Sequence, residues 1–206
     1  MAAAAQLLPF APLLAPACPP SIAPVRFPPI NFIYGHFHNS IRLELGRLAD
    51  RVRSLEAPGE GVHAMLSDLR ERYKFLEQVY TYHSTVEDEV LYPVLDSKVR
   101  NVTLAYSIEH QDEEILFEQL NQLLSAALGE PEAQRKSTIR TLICKVEEIH
   151  TTLRKHLAKE EEQLLPLLLQ HFTHAEQAEL VAQFLYSIPL ETVERVLSQL
   201  KPLIPR

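Results

Sequence analysis

Cysteine is scarce in this 206-residue chain: Cys18 and Cys144 are the only two. A disulfide framework, a Cys-type zinc finger or a RING module needs several thiolates, so the chain cannot build any of these from its own side chains. Basic residues are in deficit as well, with 20 Lys and Arg against 27 Asp and Glu and a net charge of −7. A nucleic-acid binder needs a basic face for the phosphate backbone, so nucleic acid is not an expected partner. No run of about 18 apolar residues is free of charge and proline, which excludes a helical membrane span. The expectation is a soluble intracellular protein of reducing compartments, the cytoplasm or the nucleus.

Glycine is the third shortage, at five residues, and proline is unevenly spread. Residues 1–30 hold eight of the fifteen prolines and eight alanines, with Arg26 the only charged side chain. So many prolines prevent a helix of useful length, and this segment is expected to be a disordered leader. Its lack of acids leaves an organelle-targeting segment as the alternative, although one Arg and one Ser are few for a transit peptide. With 46% hydrophobic residues, the remainder, residues 31–206, suffices for one compact metal-binding domain of about 170 residues.

Within that domain the breakers are few: Pro58-Gly59-Glu60-Gly61 and Gly129-Glu130-Pro131. They separate long segments of helical periodicity, predicting helices over 32–57, 62–95, 103–128 and 135–171. Short links between long helices favour antiparallel neighbours, so the fold class is all-α, an up-down four-helix bundle. Thr173-His174-Ala175-Glu176 is a capping-box pattern opening a short helix, and Ser187-Ile188-Pro189 restarts another that ends near Leu200. Both carry an apolar face and are expected to pack on the bundle.

What the sequence has in abundance is a repeat rich in metal-binding side chains. His83-Ser84-Thr85-Val86-Glu87-Asp88-Glu89-Val90-Leu91-Tyr92-Pro93 aligns with His156-Leu157-Ala158-Lys159-Glu160-Glu161-Glu162-Gln163-Leu164-Leu165-Pro166. A histidine and a glutamate four residues later stand on one helical face, one turn apart.

Alternating steps of three and four trace the inward seam of each helix. The second runs Val62, Leu66, Leu69, Tyr73, Leu76, Tyr80, His83, Glu87, Val90, and the fourth runs Ile139, Leu142, Val146, Ile149, Leu153, His156, Glu160. In the first helix Tyr34, His38, Ile41, Leu45, Leu48, Val52 and Leu55 line the seam, and in the third Tyr106, His110, Glu113, Phe117, Leu120 and Leu124. Every helix therefore turns one histidine inward. Glu89, Glu162, His36 and His150 fall off the seams, and His63, His171 and His174 lie near helix ends.

One histidine on an apolar stripe is commonly a hydrogen-bonded core residue. Six convergent groups are different, because two buried carboxylates cost several kcal/mol each without a counter-charge, and no Lys or Arg lies on these stripes beside them. A cation would supply the charge. Imidazole and carboxylate without thiolate suit iron first, with manganese and zinc as competitors. Four histidines and two glutamates suit two ions, each taking two imidazoles with Glu87 and Glu160 bridging, and Glu113 is an additional candidate ligand. Ferritin-type di-iron proteins use Glu-x-x-His instead.

These residues resemble the hemerythrin-like, or HHE, cation-binding domain, a four-helix bundle that holds a di-iron centre. Over about residues 30–200 the stretches Phe37–Arg42, Glu87–Val90, Tyr106–His110, Lys159–Gln163 and Gln183–Pro189 look like the hemerythrin repeats of BRUTUS-type iron-regulatory ubiquitin ligases of plants and algae. The resemblance implies His38, His83, Glu87, His110, His156 and Glu160 as iron ligands. It also implies a non-enzymatic module of iron homeostasis that senses iron, with regulatory proteins or ubiquitin-ligase components as partners. An oxygen-reactive di-iron protein, an O2 carrier or an oxidase, is the alternative. Oxygen-carrying hemerythrins place a second histidine four residues after the third-helix one; here that residue is Glu114, the other additional candidate ligand. The ligase modules of such proteins are expected to be absent from this chain, which corresponds to a single hemerythrin unit, stand-alone or part of a longer protein.

Overall fold

The computed structural model describes residues 27–55 and 61–200. The expected leader lies outside that range up to residue 26. Ile30 is fully buried, and the N–H groups of Asn31 and Phe32 donate to the carbonyls of Pro28 and Pro29. Packing is thus already present at Ile30.

Among the described residues every regular element is helical. The first arm is a π turn, Ile33–Phe37, running into α1, His38–Arg53. The second is α2, Val62–Val86, continued by a π turn, Glu87–Leu91, and by α3, Tyr92–Lys98. Then come α4, Leu104–Gly129, and α5, Glu132–His171. Gly61, at φ 99°, precedes α2 in the left-handed region that favours glycine.

The arms pack in a ring, with α1 against α2 and α5, and α4 against α2 and α5. The beginnings of α1 and α4 meet the far ends of α2 and α5, as the His38–Glu160 and His110–Glu87 pairs show. Neighbours therefore run antiparallel, as the short links predict. The expected seam residues are buried, with two exceptions on the second arm, where Val62 and Val90 are only half-buried. The π turn explains Val90: it winds an extra residue into the turn, so Leu91 and Tyr92, both 2% exposed, take the inward positions.

Away from the ligand end the core is apolar, built from residues such as Leu45, Leu48, Leu69, Leu76, Leu120 and Leu142. Each such burial contributes about 1.5–3 kcal/mol, which lets the other end carry polar groups. The two short helices are α6, His174–Tyr186, and α7, Leu190–Leu200. The expected capping box forms at Thr173 and Glu176. Both helices close on the ligand end. Phe184 of α6 meets the rings of Phe37 and His83 at 4.9 and 5.9 Å between centroids, while Gln199 of α7 bridges Ser40 and Glu44 of α1.

Candidate metal centre

All six seam-predicted ligands converge at this end of the bundle, and none is more than 5% exposed. His38 opens α1 directly after the π turn. His83 ends α2, and Glu87 begins the next π turn. His110 lies in the second turn of α4, while His156 and Glu160 stand one helical turn apart on α5. Single π turns inside α-helices frequently mark functional sites, because the extra residue re-aims the side chains around it.

The donors form two groups that share Glu160. His38, His83, Glu87 and Glu160 offer ligand atoms within 4.8 Å of one another, and so do His110, His156 and Glu160. Glu160 lies 3.5 Å from Nε2 of His38 through one oxygen and 3.5 Å from Nε2 of His156 through the other. Oε2 of Glu87 lies 3.2 Å from Nε2 of His83 and 3.7 Å from Nε2 of His110. The Nε2 atoms of His110 and His156 are 3.0 Å apart, close enough for both imidazoles to reach one ion with bonds of about 2.1 Å.

Behind the ligands stands a second layer that sequence reasoning missed. Nδ1 of His38 donates to Glu161 at 2.9 Å, and Arg42 grips both oxygens of that carboxylate at 2.8 and 2.9 Å. Nδ1 of His110 donates to Asp88 at 2.9 Å, which also accepts from Ser107. Nδ1 of His156 donates to Glu109 at 3.0 Å, which is paired with Lys159. An ionised carboxylate only accepts, so each of these histidines carries a proton on Nδ1 and turns Nε2 toward the centre. A signal for this layer was available: in both copies of the repeat an acid, Asp88 or Glu161, stands five residues after the histidine. His83 alone lacks such a partner and is held between Phe37 and Phe184.

The electrostatics of the cluster are those of a cation site. Burial, and then the neighbouring Glu160 and Asp88 carboxylates, push the Glu87 pKa well up. Glu160 goes the other way, because hydrogen bonding and charge from His156, with His38 and His83, outweigh its burial. Of the two carboxyls, Glu87 is thus the one whose protonation the fold favours and Glu160 the one whose ionisation it favours. Burial alone would depress His156, but Glu160, Glu113 and Glu109 outweigh it and raise the pKa to about 9. His83 is pushed well down, by burial first and by His38 next.

Nε2 of His38, both ring nitrogens of His83, both oxygens of Glu87 and one oxygen of Glu160 are buried without a hydrogen-bond partner. Orphaned buried polar atoms cost about 1–3 kcal/mol each, and more when charged. A shared set of imidazole and carboxylate donors facing one point is the arrangement in which a divalent cation removes that cost, so the residues present fit a metal.

The two additional candidates fare differently. Glu114 is exposed on α4 and is not brought to the cluster, because it falls about 100° around the helix from the seam residue Glu113. The inner neighbour of His110, one turn earlier, is Tyr106, 2% exposed and hydrogen-bonded to Gln163. Glu113 is buried, accepts from the Tyr80 hydroxyl and lies 3.8 Å from Nδ1 of His156, the side facing away from the ligand atoms. It belongs behind the histidine. Tyr92, aimed inward by the π turn, donates to Glu160. Glu89, Glu162, His63, His171 and His174 are exposed, and His36 and His150 only half-buried, so none of these joins the cluster.

The hemerythrin HHE cation-binding domain family matches residues 33–168. This chain belongs to that family. It is 40% identical over 158 residues to zinc finger protein BRUTUS of Arabidopsis thaliana, covering 77% of this chain and 12% of that protein. Two BRUTUS-like zinc finger proteins of the same plant are each 35% identical, over 82% and 84% of this chain and 13% of their own lengths. The HHE chain thus spans about an eighth of the curated relatives it matches. No described helix is long and apolar enough to cross a membrane.

For this HHE domain the layer behind the ligands has a measurable role. Asp88→Asn would leave His110 with a weaker acceptor and is expected to lower metal affinity about tenfold to a hundredfold with the fold intact. Competition against a chelator of known affinity, with circular dichroism as the control, checks this.

Proposed function

We propose that this hemerythrin-family chain is a non-enzymatic module holding two iron ions, whose occupancy or redox state reports cellular iron in iron homeostasis. The observation that carries the reading is the pair of donor groups that share Glu160, each with two histidines, with Glu87 of the first group 3.7 Å from His110 of the second. Hard carboxylates and borderline imidazoles without thiolate favour iron, with manganese and zinc as the competing ions.

The chain's own residues bind and orient. Glu161, Asp88 and Glu109 hold three imidazoles with Nε2 inward, and Tyr92 holds Glu160. Phe37 and Phe184 exclude water from His83. Bound iron would supply positive charge for the buried carboxylates and a change of oxidation state. A domain whose ligands come from all four arms converts metal occupancy into fold stability, which a regulatory protein or ubiquitin-ligase component can read.

Anaerobic titration with Fe(II) followed by metal quantification tests the proposal. The expected result is two iron ions per chain and a visible absorption band that develops on exposure to O2. One ion per chain, or none, would overturn it. Repeated oxygenation and deoxygenation without loss of Fe(II) would instead identify an O2 carrier.

A further inference from the structure

The two donor groups are not equally reachable. His38, His83, Glu87 and Glu160 are each 0% exposed, and Phe184 of α6 covers His83. His110 and His156 retain 5% and 3% exposure, and each lies at the floor of a surface opening. The opening between α4 and α5 is small, ≈ 240 Å³, and sets Lys155 and Lys159 against Glu109, Asp112 and Glu113 beside His156. The opening between α2 and α4 measures ≈ 760 Å³ and has His110 in its lining. Glu77, Asp88, Glu114 and Glu118 line it, and no Lys or Arg does. Asp88 is half-buried and touches Nδ1 of His110, so it stands where the groove meets the centre. Beyond the imidazole, 3.7 Å from its Nε2, is an oxygen of Glu87 that is fully buried and unpartnered.

We propose that divalent cations reach and leave the centre through the acid-lined groove between α2 and α4, so that the His110–His156 group exchanges metal with solvent first. A recess of one charge sign with low-dielectric walls focuses its field and raises the local concentration of the opposite ion, which accelerates capture. The α4–α5 opening is the smaller, and Lys155 and Lys159 offset two of its three carboxylates, which makes it a poorer route for a cation than a groove with four acids and no base. Glu114 thereby acquires a place in the molecule: its carboxylate faces the approach, while the ligand atoms lie behind His110. This inference rests on the metal-binding reading above, and its test separates the two.

Metal-free protein is mixed with Co(II) in a stopped-flow cell, and uptake is followed by the visible bands of the ligated ion. At low ionic strength the combined Glu77→Gln, Glu114→Gln and Glu118→Gln variant is expected to load about threefold to tenfold more slowly than the parent, with unchanged final Co(II) per chain. The gap should close at high salt, where the field is screened. A control variant carrying Glu132→Gln, Glu179→Gln and Glu194→Gln, three exposed acids outside the groove, should load like the parent. Equal rates for parent and groove variant at full occupancy, or equal slowing in the control, would overturn the route. A parent that takes up no Co(II) at equilibrium would overturn the metal-binding reading itself. If the triple variant does not fold, Glu114→Gln alone, at an exposed position, should slow loading about twofold, and no slowing would refute the route.

Discussion

Fe(II)-saturated protein should melt about 5–10 °C above the same protein in chelator, His83→Ala should lose most of that difference, and His63→Ala should keep it. A ligand that binds only the folded chain at a hundredfold excess over its dissociation constant adds about 2.7 kcal/mol. For a domain of this size each kcal/mol moves the melting temperature by about 2–4 °C. His83 is the most revealing ligand to remove. It is fully buried with neither ring nitrogen hydrogen-bonded, and its packing against Phe37 and Phe184 is apolar. Truncation also leaves a cavity that lowers the melting temperature of both forms, so the quantity to compare is the metal-induced shift. His63 is exposed in the first turn of α2, outside both donor groups. Equal shifts in parent and both variants would show that the ions bind elsewhere.

Between pH 6.5 and 9 the metal-induced shift should grow while the metal-free protein becomes less stable. His156 is raised from 6.5 to about 9 in the metal-free fold, so its pairing with Glu160, Glu113 and Glu109 stabilises fully below pH 6.5 and is lost as pH climbs through about 9. Glu87 has the same sign. Its carboxyl keeps a proton that the unfolded chain releases near 4.5, so the fold loses stability as pH rises above that value. A metal must displace both protons, and apparent affinity rises up to tenfold per pH unit for each proton released. Thermal unfolding at pH 6.5, 7.5 and 8.5, in chelator and in anaerobic Fe(II), measures both trends. A metal-induced shift that is flat or shrinks toward pH 8.5 would contradict the assignment of His156 as a protonated ligand in the metal-free state.

The six inward donors were legible in the sequence because helical periodicity gives the angle of each side chain about its own axis. His38, His83, His110 and His156 continue the apolar stripes without a change of phase, and the structure buries all four. The number of arms, the short links and the capping box at Thr173 follow from the same local rules of breakers, periods and end signals. Periodicity is weaker where the helix itself departs from 3.6 residues per turn. The π turn Glu87–Leu91 shifted the seam by one residue, from Val90 to Leu91, and aimed Tyr92 at Glu160. Glu114 entered through the family pattern rather than through the seam, and the seam excluded it.

An angle about one axis does not report the distance to another helix. Which imidazoles share a point, that Glu160 spans His38 and His156, and that Asp88, Glu109 and Glu161 each brace a histidine on a neighbouring arm are consequences of how the arms pack. The same holds for the closure of α6 over His83 and for the acid-lined groove that leaves His110 within reach of solvent. Local sequence determined the all-α class, the four arms and the inward faces, because propensity, turn chemistry and hydrophobic period act within a few residues. Tertiary structure alone decided the pairing, the outer carboxylates and the access, because those depend on side chains brought together from positions as far apart as 38 and 161.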